Sequence, residues 1–291
     1  MSESLCDQTV TLNGLSFHYR DWGGVGQPIV LLHGLASTSH IWDMVAPILV
    51  NNYRVVALDQ RGHGESDTPD HGYDFPTVVS DMYAFIHSLD FNKPLVFGHS
   101  WGGDVALEYA VAHQGEVKGL GFVDGGTINI AGRPGNTLEQ AMIDMAPPMW
   151  EGMTFDKLEE RAKTWRPPSM LSPQHIEILR SNFRQQDDDT ITSRLSRANH
   201  LRIIEALWDH NPPDLYKQLS CPVLLMPARQ KDSDSVADRR TRKEASIAEA
   251  SKLIPNSMTV WMEDSVHDVP IQRPELVAGV ITEHIENGFF D

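Results

Sequence analysis

Ser100 stands in Gly98-His99-Ser100-Trp101-Gly102, directly after the apolar run Leu95-Val96-Phe97 and directly before a segment of helical spacing that starts at Trp101. Small residues around a serine in that position allow a sharp strand-to-helix turn that lifts the hydroxyl above a sheet, where it can act as a nucleophile. A Gly-rich phosphate loop would need a G-x-G-x-x-G pattern and a lysine, and this stretch has neither. The chain carries 13 histidines, most of which read as surface or structural residues. His267 differs because it lies in the polar loop Glu263-Asp264-Ser265-Val266-His267, after the last apolar run and before the last helical segment. Loops at the carboxyl edge of a parallel sheet converge on a site. His267 is therefore the candidate general base, taking the proton from Ser100 and returning it to a leaving group.

The elements that must position these two residues are legible as periodicity. Residues 10–19 alternate apolar and polar side chains around Asn13-Gly14, the signal of a type I′ hairpin. A Gly-rich connection, Gly23 to Gly26, leads to the run Ile29-Val30-Leu31-Leu32. Similar short runs recur at 55–58, 95–97, 120–123, 223–226 and 259–262, and continuous apolar runs mark strands covered on both faces. Helical spacing occupies 41–50, 77–89, 101–113 and 274–285. Such alternation predicts an α/β fold with a mostly parallel central sheet flanked by helices. The alternation breaks over residues 127–213, where helical patterns occur without a clear strand. One helix is expected to begin at Ser172-Pro173 and to align Ile176, Leu179 and Phe183 on one face. The expected organisation is a core domain of residues 1–126 and 214–291, with 127–213 inserted as a helical cap closed by Asn211-Pro212-Pro213.

Composition narrows the partners. With 291 residues and 41% hydrophobic content the chain can bury a sizeable core, and its formal charge of -16 would be repelled by nucleic acid and by anionic membranes. Cys6 and Cys221 make neither a disulfide framework nor a metal-site spacing, which points to a reducing, cytoplasmic setting. The first ten residues lack a basic and an apolar region of the secretory kind, and no stretch approaches the ~18 apolar residues of a membrane span. No cofactor and no metal are expected, and Asp187-Asp188-Asp189 reads as a solvated loop. The expected partner is a small-molecule, ester-like substrate, and a homodimer is an admissible assembly.

Four motifs taken in order resemble the α/β-hydrolase family: His33-Gly34-Leu35 after the third strand, Asp59-Gln60-Arg61-Gly62-His63-Gly64-Glu65-Ser66, the serine turn at 98–102, and His267 ahead of Gln272-Arg273-Pro274-Glu275. The resemblance implies an oxyanion site made by the backbone amides of Leu35 and Trp101, which stabilise charge without reorganising. His33, Arg61, His63 and Ser66 are expected to support their loops. The family most often places its acid after the seventh strand, where Lys231 occupies the usual position and Asp232 falls one residue late. Some members, haloalkane dehalogenases among them, draw the acid from the end of the sixth strand, where this chain has Asp124. Asp124 is favoured over Asp232 because a strand end can hold a carboxylate rigidly.

Met142, Met145, Met149, Trp150, Met153, Phe155 and Trp165 would pack the cap or roof the nucleophile with an adaptable apolar pocket. Dehalogenases and epoxide hydrolases of similar sequence use an aspartate nucleophile, which position 100 is not. The resemblance thus implies a carboxylesterase-like serine hydrolase acting on a small, largely apolar ester. Carbon–carbon bond hydrolases, lactonases and perhydrolases share the same triad and stay open, as do receptor-like binding proteins and cofactor-free dioxygenases of this fold.

Overall fold

The computed structural model describes residues 6–230 and 237–291. Asn13 and Gly14 both have positive φ, 50° and 81°, as a type I′ turn requires. They close an antiparallel ribbon of β1 (Asp7–Leu12) and β2 (Leu15–Gly23). β2 in turn pairs antiparallel with β4 (Arg54–Leu58). β3 (Pro28–Leu32), β5 (Leu95–His99), β6 (Gly119–Val123), β7 (Val223–Met226) and β8 (Ser257–Thr259) complete an 8-stranded sheet in the order β1-β2-β4-β3-β5-β6-β7-β8. From β4 to β8 every pairing is parallel.

The continuous apolar runs are explained by two covered faces. In β3, Val30 and Leu32 join one core with α2 (Phe75–Ser88) and α3 (Trp101–Ala112). Ile29 and Leu31 join the opposite core with α1 (Ala46–Leu49) and α10 (Pro274–Glu286). Side chains alternate faces along a strand, so a run apolar at every position needs cover on both sides. The chain leaves β3 toward β4 on one side and leaves β5 toward β6 on the other. The crevice beyond the carboxyl ends of β3 and β5 is therefore the switch point of the sheet, the place where such folds take ligands.

Several boundaries differ from those expected. The helical pattern at 41–50 is two pieces, a 3-10 turn Ser39–Trp42 and α1, because Pro47 has no N–H for a helical bond back to Asp43 and its ring would clash there. The segment between β6 and β7 holds helices α4 (Leu138–Asp144), α5 (Phe155–Trp165), α6 (Pro173–Arg180) and α7 (Arg197–Asp209). It also holds a short hairpin, Phe183–Gln185 with Ile191–Ser193, that the sequence reading missed. Three residues per strand leave too little alternation to read, and Phe183 starts this hairpin rather than continuing α6. Ser172 caps α6 as expected, and Asp187, Asp188 and Asp189 lie exposed at the hairpin tip. Asn211-Pro212-Pro213 opens another helix, α8 (Pro212–Tyr216), with proline at its first position. The run at 259–262 is divided: pairing passes from β7 to the short pair Ala228–Arg229 with Met262–Glu263. Among the described residues no helix is long and apolar enough to cross a membrane.

Where the inserted segment rejoins the core, a buried ion cluster ties it to α3. His210 Nδ1 lies 2.7 Å from Glu108 Oε1 and Nε2 lies 3.1 Å from Asp104 Oδ1, while the ring stacks on Phe75 at 4.5 Å. Burial opposes the charge on His210, but the two carboxylates outweigh it and raise its pKa to about 9. A histidine pKa raised on folding adds stability that is complete below its unfolded value of about 6.5 and vanishes as pH passes the folded value. The expected outcome in thermal melts from pH 6 to 10 is a loss of about 3 kcal/mol in the wild type as pH rises through about 9. His210→Gln should start less stable and lose much less across that window; an equal loss in both proteins would refute the ion cluster.

Candidate active site

Ser100 joins β5 to α3 with φ 51° and ψ −126°, a region a side-chain-bearing residue rarely occupies. The turn is held from both sides, since the Ser100 amide donates to the Val123 carbonyl at 3.1 Å and the Gly103 amide donates to the Ser100 carbonyl at 2.9 Å. α3 starts pressed against β3. A Cβ on Gly102 would lie 2.6 Å from the His33 carbonyl oxygen, and one on Gly34 would lie 2.9 Å from the Ser100 Cβ, so only glycine permits the approach. The Trp101 amide is one of the orphan donors at a helix start. The Leu35 amide makes no hydrogen bond among the described residues.

The loops around it are fastened by the residues assigned to support. His33 Nε2 accepts from the Gln60 amide at 3.0 Å while Nδ1 donates to the Gly34 carbonyl at 2.8 Å, and burial lowers its pKa, so the ring is neutral. Arg61 grips Asp81 through Nε at 2.5 Å and Nη2 at 2.8 Å. The Ala36 amide donates to His63 at 3.3 Å, and the Ser66 hydroxyl donates to the Asp59 carbonyl at 2.6 Å.

His267 comes from the loop after β8, and its Nδ1 lies 2.7 Å from Asp124 Oδ2. Asp124, at the end of β6 with φ 46°, is 3% exposed, whereas the His267 side chain is 56% exposed. The second carboxylate oxygen accepts from the Ala228 amide at 2.8 Å, and Lys243 Nζ, from α9 (Ala237–Leu253), reaches both oxygens at 2.7 and 2.9 Å. Burial would raise the Asp124 pKa, but His267 and then Lys243 outweigh it and hold it down to about 2. In His267, partial desolvation by the surrounding protein favours the neutral ring, yet the Asp124 hydrogen bond and charge prevail and its pKa is raised. Asp232 lies outside the described residues.

Two neighbours went unnoticed in the sequence. His99 Nε2 donates to the His267 carbonyl at 2.9 Å, and burial together with the nearby His267 pushes its pKa down to about 4. A histidine inside the serine motif was the signal available for it. Lys243 had no such signal, because the α9 sequence looks like a solvated helix.

Ser100, His267 and Leu35 line one cavity of about 230 Å³ at the switch point, together with Trp150, Trp165 and Phe183 from the segment between β6 and β7. A second depression of about 290 Å³, beside Phe75, Tyr83 and His113, contains none of these groups. Among the seven apolar residues of the insertion singled out above, only Trp150 and Trp165 reach the cavity. Met142 and Met145 pack on the main core, Met153 and Phe155 pack within the insertion, and Met149 is exposed. No cluster of three or more His, Cys, Asp or Glu side chains suited to a metal ion occurs among the described residues.

Residues 29–280 match a family model described as "Alpha/beta hydrolase family". A soluble epoxide hydrolase of Corynebacterium sp. (strain C12) is 36% identical over 124 residues, which span 43% of this chain and 43% of that protein, less than half its length. A serine hydrolase-like protein of Danio rerio is 28% identical over 288 residues, covering 91% of this chain and 83% of the relative. In three dimensions, the crystal structure of E-2-(acetamidomethylene)succinate hydrolase superposes with a TM-score of 0.77 at 22% identity, over 96% of this chain and 98% of the other.

The electrostatics give a pH dependence. Catalysis that needs neutral His267 should show kcat/KM rising with pH along one limb whose midpoint lies above the ordinary imidazole value of about 6.5. Lys243 opposes the charge on His267, so Lys243→Met should move that limb to higher pH, as followed in pH-rate profiles. A limb that stays in place would show that Lys243 has no influence on the imidazole.

Proposed function

Because this chain belongs to the α/β-hydrolase family, we propose that it is a serine hydrolase that cleaves small esters through an acyl-enzyme on Ser100. One observation carries this reading. The strained, glycine-framed Ser100 and an imidazole tied to a buried carboxylate open into the same cavity.

In the proposed reaction His267 takes the Ser100 proton as Oγ attacks the ester carbonyl. Asp124 fixes the ring so that Nδ1 donates to the carboxylate and Nε2 is free to accept, and it stabilises the imidazolium that forms. The tetrahedral oxyanion is met by the Leu35 and Trp101 amides, with the positive end of the 12-residue α3 behind the latter. Collapse breaks the carbon–oxygen bond to the alcohol, which leaves with the proton from His267. Water, deprotonated by the same imidazole, then attacks the acyl carbonyl and frees Ser100.

The chemistry of the intermediate favours an acyl substrate over an epoxide or alkyl halide. A serine that opened either of those would form an alkyl ether, which has no carbonyl for water to attack, and the enzyme would stop after one turn. Residues 127–213 are proposed to act as a cap, with Trp150, Trp165 and Phe183 supplying apolar walls that exclude water from the acyl group.

A fluorophosphonate probe followed by mass spectrometry of the labelled peptide is expected to mark Ser100 in the wild type and nothing in Ser100→Ala. Hydrolysis of short-chain nitrophenyl esters should fall by about 10⁴ in Asp124→Asn, whose amide imposes the wrong tautomer on His267. Labelling that persists in Ser100→Ala would end the proposal. An Asp124→Asn enzyme of near wild-type rate would end the assignment of the acid.

A further inference from the structure

Arg166 is an anomaly in the cavity wall. It follows α5 directly, and its amide donates to the Ala162 carbonyl at 2.8 Å, which fixes the backbone at the roof. Its guanidinium lies beneath that roof, with a side chain only 6% exposed. Nε and Nη1 are buried with no hydrogen-bond partner among the described residues, and Nη2 lies 3.6 Å from Asp268 Oδ2, beyond hydrogen-bond distance. The guanidinium carbon lies 4.9 Å from the centre of the Trp165 ring, which faces the same cavity.

A buried charge is expensive unless it is paired and hydrogen-bonded, and a guanidinium stays protonated throughout the physiological range. Among the described residues the only carboxylate placed against it is Asp268, which touches one nitrogen loosely and is 32% exposed. A carboxylate can sit on either of two edges of the planar fork, and each edge includes one of the two unpartnered nitrogens. Arg166 lines the cavity that also contains Ser100 and His267. We infer that this site takes a substrate bearing a carboxylate, bound by Arg166, on an otherwise apolar acyl or alcohol body. The inference rests on the reading of Ser100 as nucleophile and narrows its substrate class to half-esters of small dicarboxylic acids, or esters of comparable charge.

The cavity volume of about 230 Å³ suits a molecule of that size. The formal charge of -16 would not draw an anion to the protein as a whole. A cation placed under an apolar roof gives the attraction locally, where water does not screen it. The reaction is ordinary ester hydrolysis. Ser100 Oγ bonds to the carbonyl carbon, the alcohol leaves with a proton from His267, and water releases the acid, while the carboxylate on Arg166 is unchanged.

Two esters separate the possibilities: the mono-nitrophenyl ester of glutaric acid, which is anionic, and its neutral counterpart with a terminal carboxamide. The wild type is expected to prefer the anionic ester by about ten- to a hundredfold in kcat/KM, the range of a charge-assisted hydrogen bond. Arg166→Met should abolish that preference, mainly through KM, and Arg166→Lys should retain part of it. Calorimetric titration of the wild type with glutarate and with glutaramide needs no variant, and glutarate alone should bind. Equal use of both esters by an active wild type, or equal binding of the two titrants, would overturn the role of Arg166 and leave Ser100 standing. Absence of fluorophosphonate labelling would instead overturn the nucleophile, with the titration still deciding on Arg166. If Arg166 served only to pair with Asp268, Arg166→Met would lower the melting temperature and reduce both ester rates alike.

Discussion

The Asp124 carboxylate joins four parts of the chain that are far apart in sequence. It ends β6, accepts from the Ala228 amide beyond β7, holds Lys243 of α9 and holds His267 from the loop after β8. Its own amide donates to the Met226 carbonyl at 3.1 Å, so the backbone that presents the carboxylate is locked to the neighbouring strand. Nearly full burial would favour the neutral acid, yet a cation and an imidazole on its oxygens keep it ionised. That charge sets the tautomer of His267 and raises its pKa, so the electrostatics of the site are arranged around this group.

A second constraint acts on the other side of the crevice. The left-handed conformation of Ser100 is tolerated only because its neighbours determine it on every side: Val123 holds its amide, Gly103 holds its carbonyl, and glycines at 34 and 102 let β3 and α3 close on it. Strain at the serine and burial at the aspartate are both sustained by the same parallel sheet. The sheet positions them because the order in which strands are added reverses between the parallel neighbours β3 and β5. Arg166 introduces a third tension of the same kind, a buried charge without an adequate partner, and it enters from the inserted segment rather than from the sheet.

Much of this was legible from residue order. Asn13-Gly14 specified a turn through its tolerance of positive φ, and the unbroken apolar runs specified strands covered on two faces. The serine motif carried its own context of strand before and helix after. Legibility failed where elements are too short to show a period, as in the hairpin after α6, or where one residue interrupts a pattern, as Pro47 does. It also failed for long side chains. Lys243 and Arg166 sit in stretches rich in charge, and a lysine or arginine bound for a buried carboxylate or a cavity is indistinguishable in sequence from one bound for water.

By itself, then, the sequence determined the family and the order of the strands along the chain, and it singled out the serine and histidine that line one cavity, because each depends on local chemistry: a turn that needs glycine, a period of two, a polar loop at a strand end. Only the tertiary structure decided that Asp124 meets His267, that Lys243 shares the carboxylate, and that Arg166 lies buried in the cavity wall with Asp268 as its one loose carboxylate neighbour among the described residues. Those are contacts between residues 119 to 143 positions apart, or between a side chain and a cavity that exists only after folding. Burial and hydrogen-bond satisfaction are properties of the packed molecule, and no periodicity along the chain encodes them.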